Sequence, residues 1–295
     1  MIKNTLGKRQ AIIGYLFILP FVLFMLVTNI GPLIYSFIES FFQWSLSGPG
    51  RFVGFDIYRN VFADKIFWLS LKNTGLFFII CVPVEIIISL FLSVLFSFSI
   101  NQRFKTFFKS IYFIPVITSF IAAAFIWKWI YNPNFGPIDQ FLVKIGLPKI
   151  LFLASKTMVI PSISIVNIWM RIGFIMMIFL AGLEGIPQNY YEAAMIDGAS
   201  KWKIFSKITL PLLNPQLVIV IIFESINIIK IFDVPFVLTS GGPANTSRSI
   251  VLHIYETSFG LGKISEGLAM SVILFVIVMI ISIFQWKVVR RNIDY

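Results

Sequence analysis

Long apolar runs alternate with short polar intervals along this chain. Six of the runs are long enough to cross about 30 Å of hydrocarbon as helices. Their approximate bounds are 11–33, 72–98, 110–131, 159–183, 212–232 and 267–286. The pattern predicts an all-α integral membrane protein of six transmembrane helices, with residues 1–295 forming one transmembrane domain. Pro20, Pro83, Pro115 and Pro161 fall inside runs, as membrane helices tolerate where neighbours re-satisfy the freed carbonyls. The first run follows Lys8-Arg9 in the manner of a signal peptide. It is too long for a signal core and no small-residue cleavage site follows, so it reads as a retained helix.

Orientation follows from the basic residues between runs. Lys3, Lys8, Arg9, Arg103, Lys105, Lys109, Lys201, Lys203, Lys207, Lys287, Arg290 and Arg291 fall on one side. Arg51, Arg59, Lys65, Lys144, Lys149, Lys156, Arg248 and Lys263 fall on the other, spread over much longer loops. The denser side faces the cytoplasm by the positive-inside rule, and both termini are then cytoplasmic. Trp68, Trp127, Trp129 and Trp286 lie near run ends, where an interfacial aromatic belt places them. Segments 34–71 and 132–158 carry aromatics and turn signals, and predict short helices and turns at the outer mouth.

Composition agrees with a lipid solvent: 58% of residues are hydrophobic and 13% charged. The mean hydropathy is +0.90. A net charge of +11 suggests nucleic acid at first sight, but the charges form short clusters with no continuous basic face, so no nucleic-acid partner is expected. One cysteine (Cys81) and one histidine (His253) exclude a disulfide framework and a Cys/His zinc site. No Ser/His/Asp arrangement is plausible with His253 on the external side. No phosphate-binding G-x-x-x-x-G-K-[ST] occurs, since Gly262-Lys263 is followed by Ile264. The chain is expected to bind no cofactor and to catalyse nothing.

The segment 184–211 is the most informative. Tyr190 to Ile196 are good helix formers, Gly198 is a natural helix stop, and Ser200 can cap a second helix carrying Trp202, Phe205 and Ile208. Pro211 stands where the next run begins. The expectation is a cytoplasmic helix–turn–helix with a small-residue surface at Ala193-Ala194, built either to enter a groove on a partner or to lie on head groups. The spacing of Glu192, Ala193, Ala194, Gly198, Ile208, Leu210 and Pro211 resembles the EAA loop of binding-protein-dependent ABC importer permeases. Ile186-Pro187, Asp197, Leu180-Ala181-Gly182-Leu183, Trp127-Lys128, Gly136 and the external Gly241-Gly242-Pro243 resemble the sugar-importer branch, which includes maltose/oligosaccharide and glycerol-phosphate types. Asp139 and Glu184 depart from it, standing where Asn and Gln are common.

The resemblance implies a type I importer permease fold in a bacterial or archaeal cell membrane. It implies that Glu192, Ala193, Ala194, Asp197, Gly198, Ile208, Leu210 and Pro211 couple to an ATPase. The implied partners are a second permease, two ATP-binding subunits that hold ATP and Mg, and an extracytoplasmic solute-binding protein. An oligosaccharide is the expected substrate, with glycerol-phosphate-type solutes the alternative.

Mid-membrane charges are costly and usually face a cavity or a partner. Glu85, Arg171 and Glu224 lie near run centres. Ser164, Asn167 and Arg171 share one helix face, and Glu224 and Asn227 share another. Asn167, Trp169, Arg171, Glu224 and Asn227 are candidates for the substrate path, against the alternative of a structural Arg171–Glu224 ion pair. Glu85 has no obvious partner. An ion-driven transporter predicts inverted repeats and broken helices with coupling-ion carboxylates, and none is evident in the sequence.

Overall fold

Lipid offers no hydrogen bonds, so each apolar run must close its own backbone ladder. A computed structural model describes residues 2–45, 48–97 and 111–289, and there the runs are helical. Arg103, Lys105, Lys109, Arg290 and Arg291 lie outside the described residues, as do the side chains of Lys3, Lys8 and Arg9. Among the described residues, four helices are long and apolar enough to cross a membrane: Gln10–Glu39, Lys65–Ser97, Val159–Glu184 and Ile264–Val288.

The other two expected spans take different forms. The run 110–131 is two helices, Ile111–Ile117 and Phe120–Ile130, bent by 113° at the break. Thr118 donates its N–H to Pro115 O at 3.2 Å, and Ser119 takes an extended conformation ahead of the second helix. A broken helix is therefore present where the sequence showed none. The run 212–232 gives a helix of 16 residues, Asn214–Ile229, with Pro215 in its first turn. At about 1.5 Å per residue it is shorter than a full bilayer crossing.

The chain divides by its contacts into two units, Met1–Ala63 with Ile254–Ile273, and Asp64–His253 with Leu274–Tyr295. In the first unit, α1 (Ile2–Met25) passes through a π turn into α2 (Gly31–Glu39). A hairpin of β1 (Phe42–Ser45) and β2 (Gly48–Phe52) sets Phe42 opposite Phe52, and α3 (Asp56–Ala63) follows. Ser40 Oγ lies 2.6 Å from the Tyr58 hydroxyl, and Trp44 N–H donates to Ser265 Oγ at 2.7 Å.

The second unit holds α4 (Lys65–Ser97), α5 (Ile111–Ile117), α6 (Phe120–Ile130), α7 (Pro137–Lys144) and α8 (Val159–Glu184). After these come α9 (Gln188–Ile196), α10 (Lys201–Ile204), α11 (Leu210–Leu212), α12 (Asn214–Ile229) and α13 (Asp233–Thr239). Helices α14 (Ile250–Tyr255) and α15 (Ile264–Val289) have residues in both units. The centre of the second unit is α8, with 61% of its most apolar stretch buried, against 28% for α4.

Small residues let other segments reach α8. A Cβ on Gly173 would meet Tyr112 O at 1.9 Å, so only glycine admits α5 there. Ser89 and Ser93 of α4 donate to the carbonyls of Ile172 (3.1 Å) and Met176 (3.0 Å). In the segment 132–158, Asn132 Oδ1 accepts from the N–H groups of Asn134 and Phe135 and α7 follows, in line with the expected short helices and turns.

Candidate functional site

The second unit contains a cavity of about 300 Å³ lined in part by Phe120, Asn167, Arg171, Asn227, Lys230 and Asp233. Helical spacing explains the set. Asn167 and Arg171 are one turn apart on α8, Asn227 faces them from α12, and Phe120 opens α6 at the helix break. Lys230 and Asp233 come from the stretch where α12 ends and α13 begins.

The charge of Arg171 is paired internally. Arg171 grips Glu224 with both arms, Nε to Oε2 at 3.0 Å and Nη2 to Oε1 at 2.6 Å. Glu224 is fully buried, and the Arg171 side chain is 16% exposed. The guanidinium also lies 5.4 Å from the Phe174 ring centroid and 5.5 Å from that of Phe223. The structural ion pair is thus present, and Arg171 still reaches the cavity wall. Glu85 has a partner after all: Asn167 Nδ2 donates to its Oε1 at 2.9 Å. Asn227 donates back to Phe223 O at 2.8 Å.

Trp169 stands apart from this lining. Two residues from Asn167 is about 200° around a helix, and Trp169 packs edge-on to Trp127 with centroids 5.7 Å apart. Trp127 therefore belongs to an aromatic cluster with Trp169 and Tyr131, whereas Trp68, Trp129 and Trp286 are each about half exposed. Lys128 donates to Val237 O at 2.8 Å.

The segment 184–211 is built as its residue types predict. Helix α9 ends in a Schellman turn: Gly198 has φ +70°, its N–H donates to Met195 O, and Ala199 N–H donates to Ala194 O. Ser200 Oγ accepts from Lys203 N–H at the start of α10. A π turn at Phe205–Thr209, which the sequence did not announce, separates α10 from α11 and carries Ile208. Leu183, Ile186 and Leu213 form a small core with Tyr191 that ties the loop to the ends of α8 and α12. Glu192, Ala193, Asp197, Gly198 and Pro211 are exposed, while Ala194, Ile208 and Leu210 are half-buried. Ile196 is 87% and Trp202 74% exposed, so the loop displays bare apolar surface.

On the segment after α13, Gly241 has φ +84°, and Gly242 O accepts from Ser247 Oγ at 2.6 Å. Pro243 O accepts from Thr246 Oγ1. Asn73 and Thr74 of α4 hold the far end, through Asn245 O, Arg248 O and the Ile250 N–H. His253 Nε2 lies 2.8 Å from Asp64 Oδ2, and neither residue lines the cavity.

The trehalose/maltose transport system permease protein MalF of Thermococcus litoralis is 34% identical to this chain, over 99% of each. Two crystal structures share the fold. One is a bacterial ABC transporter involved in the import of the acidic polysaccharide alginate (TM-score 0.86, 21% identity, covering 99% of this chain and 100% of that one). The other is a bacterial alginate ABC transporter in complex with alginate pentasaccharide-bound periplasmic protein (TM-score 0.85, 22% identity, 96% of each). Residues 76–293 match the model of the binding-protein-dependent transport system inner membrane component family. With its apolar helices and its exposed loop between α8 and α12, the chain belongs to that family and is a multi-pass membrane protein.

Proposed function

We propose that this chain forms half of the translocation pathway of an ATP-binding-cassette importer for a neutral carbohydrate, with an oligosaccharide the best fit. The observation that carries the reading is the loop 184–211. It is fixed to α8 and α12 by a small core, yet it presents Ile196 and Trp202 to the outside beside Glu192. Apolar surface held out on a capped, rigid turn suits insertion into a groove on another protein. The partner is a separate ATP-binding subunit, which holds ATP and Mg. This chain is a non-catalytic transport subunit and binds no cofactor itself.

The rest of the assembly follows the same reading. A second, related permease completes the pore, two ATP-binding subunits drive it, and an extracytoplasmic binding protein delivers solute near Gly241, Gly242 and Pro243. The chain crosses the membrane six times as one permease domain with both termini in the cytoplasm, the bent pair and α12 serving as the third and fifth crossings. The family relationship to a trehalose/maltose permease supports a sugar.

Charge supports a neutral one. An anionic, glycerol-phosphate-type solute needs net positive charge in the lining, but Arg171 is already bound to Glu224, and the other two charged lining residues, Lys230 and Asp233, are one of each sign. Asn167 and Asn227 are the groups suited to hydroxyls.

The test is the intact transporter with Ile196→Glu. The substituted protein should reach the membrane normally, retain little of the ATP-binding subunit on purification, and lose ATP-driven uptake of maltose, trehalose or maltotriose. Normal retention and uptake would return the loop to the alternative of a hairpin resting on lipid head groups.

A further inference from the structure

Glu85 is fully buried near the middle of α4 and does not line the cavity. An ionisable group at that depth is costly to insert, and packing alone is served as well by leucine. Its neighbours on the same face, Ser89 and Ser93, already tie α4 to α8, and both of their bonds end on main-chain carbonyls. Glu85 differs: its bond ends on the side chain of Asn167, which does line the cavity. Its other oxygen, Oε2, has no hydrogen-bond partner among the described residues.

Resting on the cavity as the sugar path, we infer that Glu85 is a positioning residue for substrate selection. It holds the Asn167 amide so that Oδ1, an acceptor, faces the pathway and receives a substrate hydroxyl. A carboxyl Oε1 accepts, so the amide nitrogen must point at it and the amide oxygen must point away. Among the described residues no hydrogen bond engages Asn167 Oδ1. Without Glu85 the amide is free to turn over and offer a donor in place of the acceptor, blunting recognition while leaving the pore intact.

The experiment uses the complete transporter in proteoliposomes, with radiolabelled maltose, trehalose and maltotriose as probes. Glu85→Ala should raise KM about fivefold, the weight of one hydrogen bond, and leave kcat within about twofold of the parent. Glu85→Gln, whose side-chain carbonyl can still accept, should be milder. Asn167→Asp alone sets two carboxylates against each other and should transport poorly. Glu85→Gln with Asn167→Asp restores a donor facing an acceptor and should recover much of the loss, even if Glu85→Ala fails to assemble.

Unchanged KM in Glu85→Ala, a fall in kcat alone, or a double variant no better than Asn167→Asp overturns the inference and leaves the sugar path standing. Failure of the parent transporter to move any of the three sugars overturns both.

Discussion

Arg171 and Glu224 illustrate how a membrane protein keeps charge among apolar helices. Two opposed charges, bidentate and flanked by Phe174 and Phe223, remove each other's insertion cost. Breaking the pair from one side leaves a bare charge. Arg171→Leu, which strands the fully buried Glu224, should therefore destabilise the protein by about 3–5 kcal/mol. The paired Arg171→Leu/Glu224→Leu protein should regain most of that, read as melting temperature of the purified transporter in detergent. Asn167→Ala and Asn227→Ala should raise the KM for sugar uptake; Asn227→Ala should change melting little, whereas Asn167→Ala also strands the buried Glu85 and should lower it. Wild-type kinetics in both would reduce the two asparagines to structural residues. The stripe of Asn167 and Arg171 was visible in the residue spacing, and so was the candidate pair. The Glu85–Asn167 bond was not, because 82 residues separate its ends and periodicity names a face without naming what meets it.

At the scale of elements, glycines mark where helices touch and where they stop. Gly173 admits the main chain of α5, and backbone cannot swing aside, so Gly173→Ala should cost about 1–3 kcal/mol. For Gly182→Ala the three nearest atoms belong to the side chains of Gln216 and Leu213, which can give way, so it should cost clearly less in the same melting assay. Gly198 is different again. Nothing lies within 4 Å of its added Cβ, and the penalty of Gly198→Ala is only the left-handed backbone, about 1–2 kcal/mol. That loss falls on the end of α9, so ATP-coupled uptake should drop while the amount of assembled transporter holds. The turn at Gly198 could be read from residue types, since few residues tolerate its φ. The 113° break between α5 and α6 could not. Pro115 and Thr118-Ser119 hint at it, but hydropathy is the same for a straight run and a bent one.

At the scale of the whole molecule, the proposed topology makes a labelling prediction. Cys81 is the one cysteine and is fully buried, so a Cys81→Ala background should be well tolerated and silent to thiol reagents. In that background a cysteine at exposed Ser240 should react with a membrane-impermeant maleimide in whole cells. A cysteine at Trp202 should react only after the membrane is opened. Labelling of position 202 from outside would invert the orientation drawn from the basic residues and remove the loop from reach of any ATP-binding subunit. The same assay at the two ends of α12 tests whether its 16 residues complete a crossing.

Residue order by itself determined the membrane solvent, the mostly helical class, the places of four long apolar helices, the turn chemistry of 184–211 and the family resemblance. Each of these rests on local rules: an apolar run must be covered by lipid or protein, and a capped turn needs particular residues within a few positions. Tertiary structure alone decided that Glu85 meets Asn167, that Trp169 turns from the cavity lining, and that the third run breaks at the cavity wall. Those outcomes depend on which helix faces meet. Packing complementarity between residues far apart in the chain sets that choice, and no local rule contains it.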